Sequence, residues 1–222
     1  MAASEPLRTV GNDLYPTIEP YDHGMLPVGS GHALYWEQSG NPYGQPVLFL
    51  HGGPGAGTMP NHRRFFDPAH YRIILFDQRG AGRSTPYASI LDNTTDNLVN
   101  DIEVLRRKFS INQWLLFGGS WGATLALIYA ERHPQSCLGI ILRGVFMGRP
   151  QELDWFLNGI RHIYPEAWQN FVDFIPTDEQ GNLADAYYRR LIDQNPQVHG
   201  PAAAAWNHYE AQCSTLRHKP IE

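Results

Sequence analysis

The sequence predicts an α/β fold built on a mostly parallel sheet with helices on both faces. Two observations carry that expectation. Short apolar runs recur at Val47–Leu50, Tyr71–Phe76, Gln113–Phe117 and Leu138–Leu142, the first running into His51-Gly52-Gly53, the second into Asp77 and the third into Gly118. Unbroken runs of this kind mark strands buried on both faces, unlike the alternating strands of a half-solvated sheet. Between them the apolar spacing switches to that of helices, and strand alternating with helix is the pattern of parallel architecture.

In chain order, the first thirty residues are rich in Pro, Gly and Tyr and read as an extended lead-in. Ala33–Glu37 reads as a strand on the sheet's edge. Gln45-Pro46 delivers the chain into the run at Val47, and Asp77 stops the run at Tyr71–Phe76. Leu98, Ile102, Leu105 and Phe109 then fall at helical spacing, with Thr94 or Thr95 available as the cap. A second helix is predicted from Trp121 to about His133, stopped by Pro134. After Arg149-Pro150 no run resembles a buried parallel strand. The segments 153–163, 166–175, 184–193 and 202–212 read as helices, and their aromatics, Trp155, Phe156, Trp168, Phe171, Phe174 and Trp206 among them, as residues that pack those helices. Two parts are therefore expected: an α/β core over 1–148 and a helical part over 149–222.

Composition narrows the function classes. The chain has 222 residues, a net charge of −5, 42% hydrophobic and 12% aromatic residues. That hydrophobic content excludes a disordered chain, and a length of this order buries about 70% of the unfolded surface without staples. Mild acidity speaks against nucleic-acid binding, which favours a basic patch. No run approaches the roughly 20 apolar residues of a membrane span. Met1-Ala2-Ala3-Ser4-Glu5-Pro6 lacks the basic and apolar regions of a secretion signal, so a cytoplasmic location is expected. Cys137 and Cys213 are then expected as reduced thiols.

Three loops carry the chemistry. Gly118-Gly119-Ser120-Trp121-Gly122 fits the G-x-S-x-G elbow, which exposes a nucleophilic serine on a tight strand-to-helix turn. An apolar strand precedes it and small residues open the helix behind it; the plainer alternative is an ordinary turn with an incidental serine. His51-Gly52-Gly53-Pro54-Gly55 follows the first buried strand and can offer backbone N–H groups to an anion. In an acyl-transfer enzyme the N–H groups of Gly53 and Trp121 would form the oxyanion hole, and Pro54 has none to give. As a phosphate loop it lacks both the lysine and the final glycine spacing. Asp77-Gln78-Arg79-Gly80-Ala81-Gly82-Arg83-Ser84, after the second buried strand, reads as a buttressing loop held by ion pairs. The histidines form no H-E-x-x-H or other tight ligand cluster, so neither metal nor cofactor is expected; His133 reads as a helix-end residue and His51 as shaping its loop.

Together these loops, with Leu142-Arg143-Gly144-Val145-Phe146, the lead-in from about Tyr21 and the late Trp206-Asn207-His208-Tyr209-Glu210, resemble the proline iminopeptidases of the α/β-hydrolase superfamily. The resemblance runs from about residue 15 to 222. It implies an α/β-hydrolase core over 1–148, a helical cap over 149–222, and release of N-terminal proline from peptides through an acyl-enzyme on Ser120. It also implies that Glu210 binds the substrate's charged imino group and that Phe146 packs on the proline ring. Phe156 stands near a position where the family carries a tyrosine, so that hydroxyl's hydrogen bond is lost. An exposed helix glutamate is the plainer reading of Glu210.

The same resemblance implies a triad ordered Ser, Asp, His, with the last two after later strands. Asp154, Asp173, Asp178, Asp185 and Asp193 precede His199, His208 and His218, but all lie in helical sequence and none follows a buried strand. The triad Asp and His are therefore expected beyond residue 222, which reads the chain as a C-terminally truncated form with an incomplete core and a partial cap, inactive alone. The strand at Leu138–Leu142 would then lack a sheet neighbour and expose an apolar edge. Another hydrolase (an esterase or a different aminopeptidase) and a non-catalytic isoform binding a peptide or a partner chain are the alternative functions. Oligomeric state is left open.

Overall fold

The computed structural model describes residues 14–214. The segment that bears on secretion (1–6), His218 and the terminal 219–222 lie outside the described residues. The chain divides into two compact units, Met1–Met147 and Gly148–Glu222.

The first unit is a six-stranded sheet in the order β1-β2-β4-β3-β5-β6. Its strands are β1 (Asp22–Gly29), β2 (His32–Gly40), β3 (Gln45–Leu50), β4 (Tyr71–Phe76), β5 (Trp114–Gly119) and β6 (Cys137–Arg143). The β4-β3-β5-β6 block is parallel, and β1 and β2 extend it antiparallel. The lead-in is therefore more than extended chain: Asp22–Gly29 forms a hairpin with β2, turning at Ser30 and Gly31, both at positive φ. This moves β2 off the edge that its sequence suggests. Pro27 obscures the strand β1, yet an edge strand is where a missing N–H is tolerated.

Helices α1 (Thr95–Lys108) and α2 (Trp121–Arg132) match their sequence spacing. The Thr94 side chain caps α1 by accepting from the Asn97 N–H. Leu98, Ile102, Leu105 and Phe109 of the α1 region join Leu125, Ala126 and Tyr129 of α2 in one core with Leu48, Leu50, Ile74, Phe76 and Leu116 of the sheet. Val47, Phe49, Ile73 and Leu75 point to the opposite face and meet Phe65 and Phe66.

The sequence predicts helices on both faces; among the described residues both α-helices of this unit lie on one. The reason is topological. From β3 the chain steps one way to β4, then reverses to β5 and β6. Right-handed crossovers send connections in opposite directions to opposite faces. The β3–β4 connection alone serves the second face, and it carries only a 3-10 helix, Pro60–Phe65.

The run at Leu138–Leu142 predicts a buried strand and, on the family reading, one that lacks a neighbour. Among the described residues it pairs with β5 alone and ends the sheet, and Leu138 (48% exposed) and Ile141 (47%) stand open. A strand with one neighbour cannot exclude water as a central strand does.

The second unit is helical among its described residues: α3 (Pro150–Leu157), α4 (Pro165–Asp173), α5 (Leu183–Leu191) and α6 (Pro196–Cys213). Helix α6 starts six residues before the sequence suggests, because Asn195 caps it through Gln197 N–H and Gly200-Pro201 does not break it. Phe171 is stacked between Tyr187 (4.3 Å) and Tyr209 (4.2 Å), with Trp206 edge-on. The hydroxyls of Tyr187 and Tyr209 donate to the Phe171 and Phe156 carbonyls, so these rings are buried without orphaned donors.

Candidate active site

All three loops leave the carboxyl ends of parallel strands, at the place where the order reverses around β3. This is where open α/β sheets place ligands, because the strands diverge and leave a crevice.

Ser120 lies between β5 and α2 at φ 54°, ψ −123°. A left-handed φ at a non-glycine residue is strained by about 1–3 kcal/mol and persists only where the surroundings impose it. Here they do. The Ser120 N–H donates to the Arg143 carbonyl on β6 (3.2 Å), and its own carbonyl accepts from Ala123 N–H (2.9 Å). Glycines on either side allow the approach. A Cβ on Gly118 would lie 2.2 Å from the Gly122 carbonyl oxygen, and one on Gly122 would lie 2.0 Å from that of Leu50. The turn therefore holds the serine exposed, and no group among the described residues hydrogen-bonds its Oγ.

The 51–57 loop stands against this elbow. A Cβ on Gly52 would meet the Ser120 Cβ at 3.3 Å and the Gly119 carbonyl oxygen at 3.0 Å. Gly53, at φ 113°, is exposed and its N–H donates to no acceptor among the described residues. The Trp121 N–H opens α2, where no carbonyl lies one turn earlier to accept it. Two N–H groups with no acceptor among the described residues thus lie on the two segments that meet at Ser120, the 51–57 loop and the start of α2, the second at the positive end of a helix dipole.

The loops are held by a layer that the sequence only outlines. His51 is buried; its Nδ1 donates to the Gly52 carbonyl (2.9 Å) and its Nε2 accepts from Gln78 N–H (2.9 Å). This fixes one neutral tautomer, and burial holds the ring's pKa below the usual histidine value. With both nitrogens engaged by backbone, His51 is not available as a base for Ser120. Asp77 accepts from Thr58 N–H and Oγ1 and from Arg83 N–H and Nε. Burial pushes its carboxyl up, but the Arg83 and Thr58 bonds outweigh burial and leave it below the usual range. Arg83 also reaches Glu37, which is paired with Arg63 (2.6 Å). Arg79 pairs with buried Asp101 at 2.6 and 2.9 Å. The buttressing role read for this loop is what these contacts perform. His133 is the C-cap residue of α2.

Thr124 of α2 is not singled out by sequence; its hydroxyl donates to the Phe146 carbonyl and so ties the backbone of Phe146 to the helix behind the serine. Gln78 stands in the sequence only as part of its motif, yet it contacts both loops. Its signal is its position, the second residue past a buried strand. Glu210 lies on α6 in the second unit, half-buried. Burial raises its carboxyl pKa, Trp206 one turn back offsets this in part, and it joins no ion pair among the described residues. Among the described residues, no group of three or more His, Cys, Asp or Glu could hold a metal ion, and no helix is long and apolar enough to cross a membrane.

A family profile for the alpha/beta hydrolase fold matches residues 45–202. A probable proline iminopeptidase of Leptolyngbya boryana is 53% identical over 204 residues, covering 91% of this chain and 64% of that protein. The proline iminopeptidase of Arabidopsis thaliana is 55% identical over 206 residues, covering 92% and 54%. The chain thus spans roughly half to two thirds of the length of these curated relatives. Among solved structures, a proline iminopeptidase-related protein from Thermus thermophilus matches with a TM-score of 0.56 at 27% identity, over 88% of this chain and 67% of that one. The Mycobacterium smegmatis proline iminopeptidase has the same TM-score at 21% identity, over 85% and 68%, and shows the shared fold. The chain therefore belongs to the alpha/beta hydrolase fold family, with proline iminopeptidases among its relatives.

Proposed function

We propose that this chain carries the nucleophile, the oxyanion hole and the substrate-end carboxylate of a serine-type proline iminopeptidase. The observation that carries the reading is the exposed Ser120 at a strained φ on the β5–α2 turn, with the glycine loop packed against it. In the reaction, Ser120 Oγ attacks the carbonyl of an N-terminal proline residue. The N–H groups of Gly53 and Trp121 hydrogen-bond the oxyanion as it forms; donors placed where charge develops stabilise the transition state more than the substrate. The leaving amine departs, and water then releases proline from the acyl-serine.

Phe146, anchored through Thr124, supplies an apolar face for the proline ring. Glu210 pairs with the imino cation. Its support is physical: a carboxylate disfavoured by burial and lacking a cation gains most from a charged partner. The described residues place no base on Ser120 Oγ, and losing the histidine of such a triad costs on the order of 10⁶ in kcat. The two-part division read from the sequence, a core over 1–148 and a cap over 149–222, belongs to the same proposal, as does a cytoplasmic setting, which suits two free cysteines.

The test is hydrolysis of a proline-coumarin amide by the purified 222-residue chain beside Ser120→Ala. Turnover that disappears in the variant supports the peptidase reading and means that these residues include a base. A folded chain with no turnover and no Ser120-dependent covalent capture of a proline analogue overturns it, leaving peptide binding as the alternative.

A further inference from the structure

Gln78 holds the most connected position between the loops that carry the oxyanion donors. Its backbone N–H donates to His51 Nε2 at 2.9 Å. Its side-chain Nε2 donates to the His51 carbonyl at 2.9 Å, and its Oε1 accepts from the Trp121 indole Nε1 at 3.0 Å. The residue is buried, so none of these bonds is exchanged for water at little cost. It leaves β4 and reaches past the end of β3 to the first residue of α2. One amide thus spans the gap between the loop bearing Gly53 N–H and the turn bearing Trp121 N–H.

The chemistry required at this position is specific. One end must donate to a carbonyl and the other must accept from an indole N–H. A carboxamide offers both on one short planar group. A carboxylate accepts at both ends, and would add a negative charge beside a site that must stabilise an oxyanion. A hydrocarbon of the same size leaves the buried His51 carbonyl and the partly buried Trp121 indole N–H unpaired.

We propose that Gln78 is a positioning residue that sets the separation of the two oxyanion donors, Gly53 N–H and Trp121 N–H. This rests on Ser120 being the acylated nucleophile. Gln78 touches no reacting atom. It fixes His51-Gly52 on one side and the Trp121 ring on the other, and each donor lies within two residues of a fixed point. Donors separated by a wrong distance still bind a neutral carbonyl but lose the shorter bonds of the tetrahedral state. The signature is therefore a selective loss of transition-state binding.

The experiment uses the full chain and the boronic acid analogue of proline. Its boron accepts Ser120 Oγ, the O–B bond forms, the serine proton leaves to solvent, and a tetrahedral anion results. Boron-11 NMR reports the tetrahedral species and titration calorimetry gives its affinity, with L-prolinamide as the trigonal comparison. Gln78→Leu is expected to weaken the boronate about 10- to 100-fold and prolinamide by less than about 3-fold, the scale of a misplaced oxyanion donor. Gln78→Glu keeps an acceptor for Trp121 but loses the donor to His51 and adds a negative charge beside the oxyanion donors, so it is expected to weaken the boronate at least as much as Gln78→Leu. The Trp121 indole N–H resonance, assigned by its loss in Trp121→Phe, moves upfield in Gln78→Leu. Should Gln78→Leu not fold, Trp121→Phe removes the same bridge from the other side and is expected to weaken the boronate alone.

Equal weakening of both ligands, or an unchanged boronate affinity, overturns the positioning role. A wild-type chain that forms no tetrahedral boron, or one whose signal persists in Ser120→Ala, overturns the Ser120 reading and the role of Gln78 with it. A Ser120-dependent adduct indifferent to Gln78 overturns only the latter.

Discussion

Replacing Gly122 by alanine tests whether the serine elbow is held by backbone contact. The added Cβ would lie 2.0 Å from the Leu50 carbonyl oxygen and 3.0 Å from that of His51, where ordinary contact begins at 3.4 Å. Both neighbours are main chain, so no rotamer relieves the overlap. Strand β3 and helix α2 must move apart by about 1 Å. Alanine recovers up to about 1 kcal/mol of helix propensity, but overpacking of a rigid contact costs about 1–3 kcal/mol or more. A net loss of about 1–3 kcal/mol is expected. The displacement falls on Trp121 N–H, and a 1 Å misplacement can cost about 100-fold in rate. Gly119→Ala is the control. Its Cβ would meet only the Arg143 side chain, at 3.1 Å from Nε, and an exposed arginine can swing away. That variant should stay within about 0.5 kcal/mol of wild type. Urea denaturation followed by circular dichroism gives both values. Gly122→Ala as stable as wild type, or Gly119→Ala losing more than Gly122→Ala, would refute the contact argument.

Three further outcomes are expected. Asp101 is paired with Arg79, yet burial pushes its carboxyl up more than Arg79 pulls it down; Arg79→Met alone should cost about 3–5 kcal/mol by stranding the carboxylate, and Arg79→Met with Asp101→Leu should recover most of it in the same urea assay. Acid should destabilise the chain in two stages. His51 and His62 are held below the histidine value of 6.5, so the unfolded state takes up protons first as pH falls below it. Glu37, Asp77 and Glu103 are held below their usual values, Glu103 at about 2 by Arg106, so their contribution is present above about pH 4.5 and lost as pH falls further. A denaturation midpoint flat from pH 7 to 3 would contradict both. Glu210→Gln should be at least as stable as wild type at pH 7, since a raised carboxyl pKa means that the charge opposes folding there; the same variant should bind prolinamide more weakly, and unchanged affinity would remove Glu210 from the substrate site.

What the residues declare on their own is whatever rests on local covalent preference. Val47–Leu50 and Tyr71–Phe76 read as buried strands, and Gly118-Gly119-Ser120-Trp121-Gly122 places a serine where side chains on Gly118 and Gly122 would strike main chain. The spacing Leu98, Ile102, Leu105, Phe109 with Thr94 before it makes α1 legible, cap included. The hairpin of β1 is hidden because Pro27 argues against a strand unless its edge position is known, and position in a sheet is a long-range fact. The face on which α1 and α2 lie follows from the reversal of strand order, which no local pattern encodes. The same holds inside the site. Sequence names Ser120, Gly53 and Trp121 by motif, but the bridge from Gln78 to Trp121 and the tie from Thr124 to Phe146 join residues 43 and 22 positions apart. Hydrogen bonds of that separation exist only once the sheet has brought the ends of its parallel strands together.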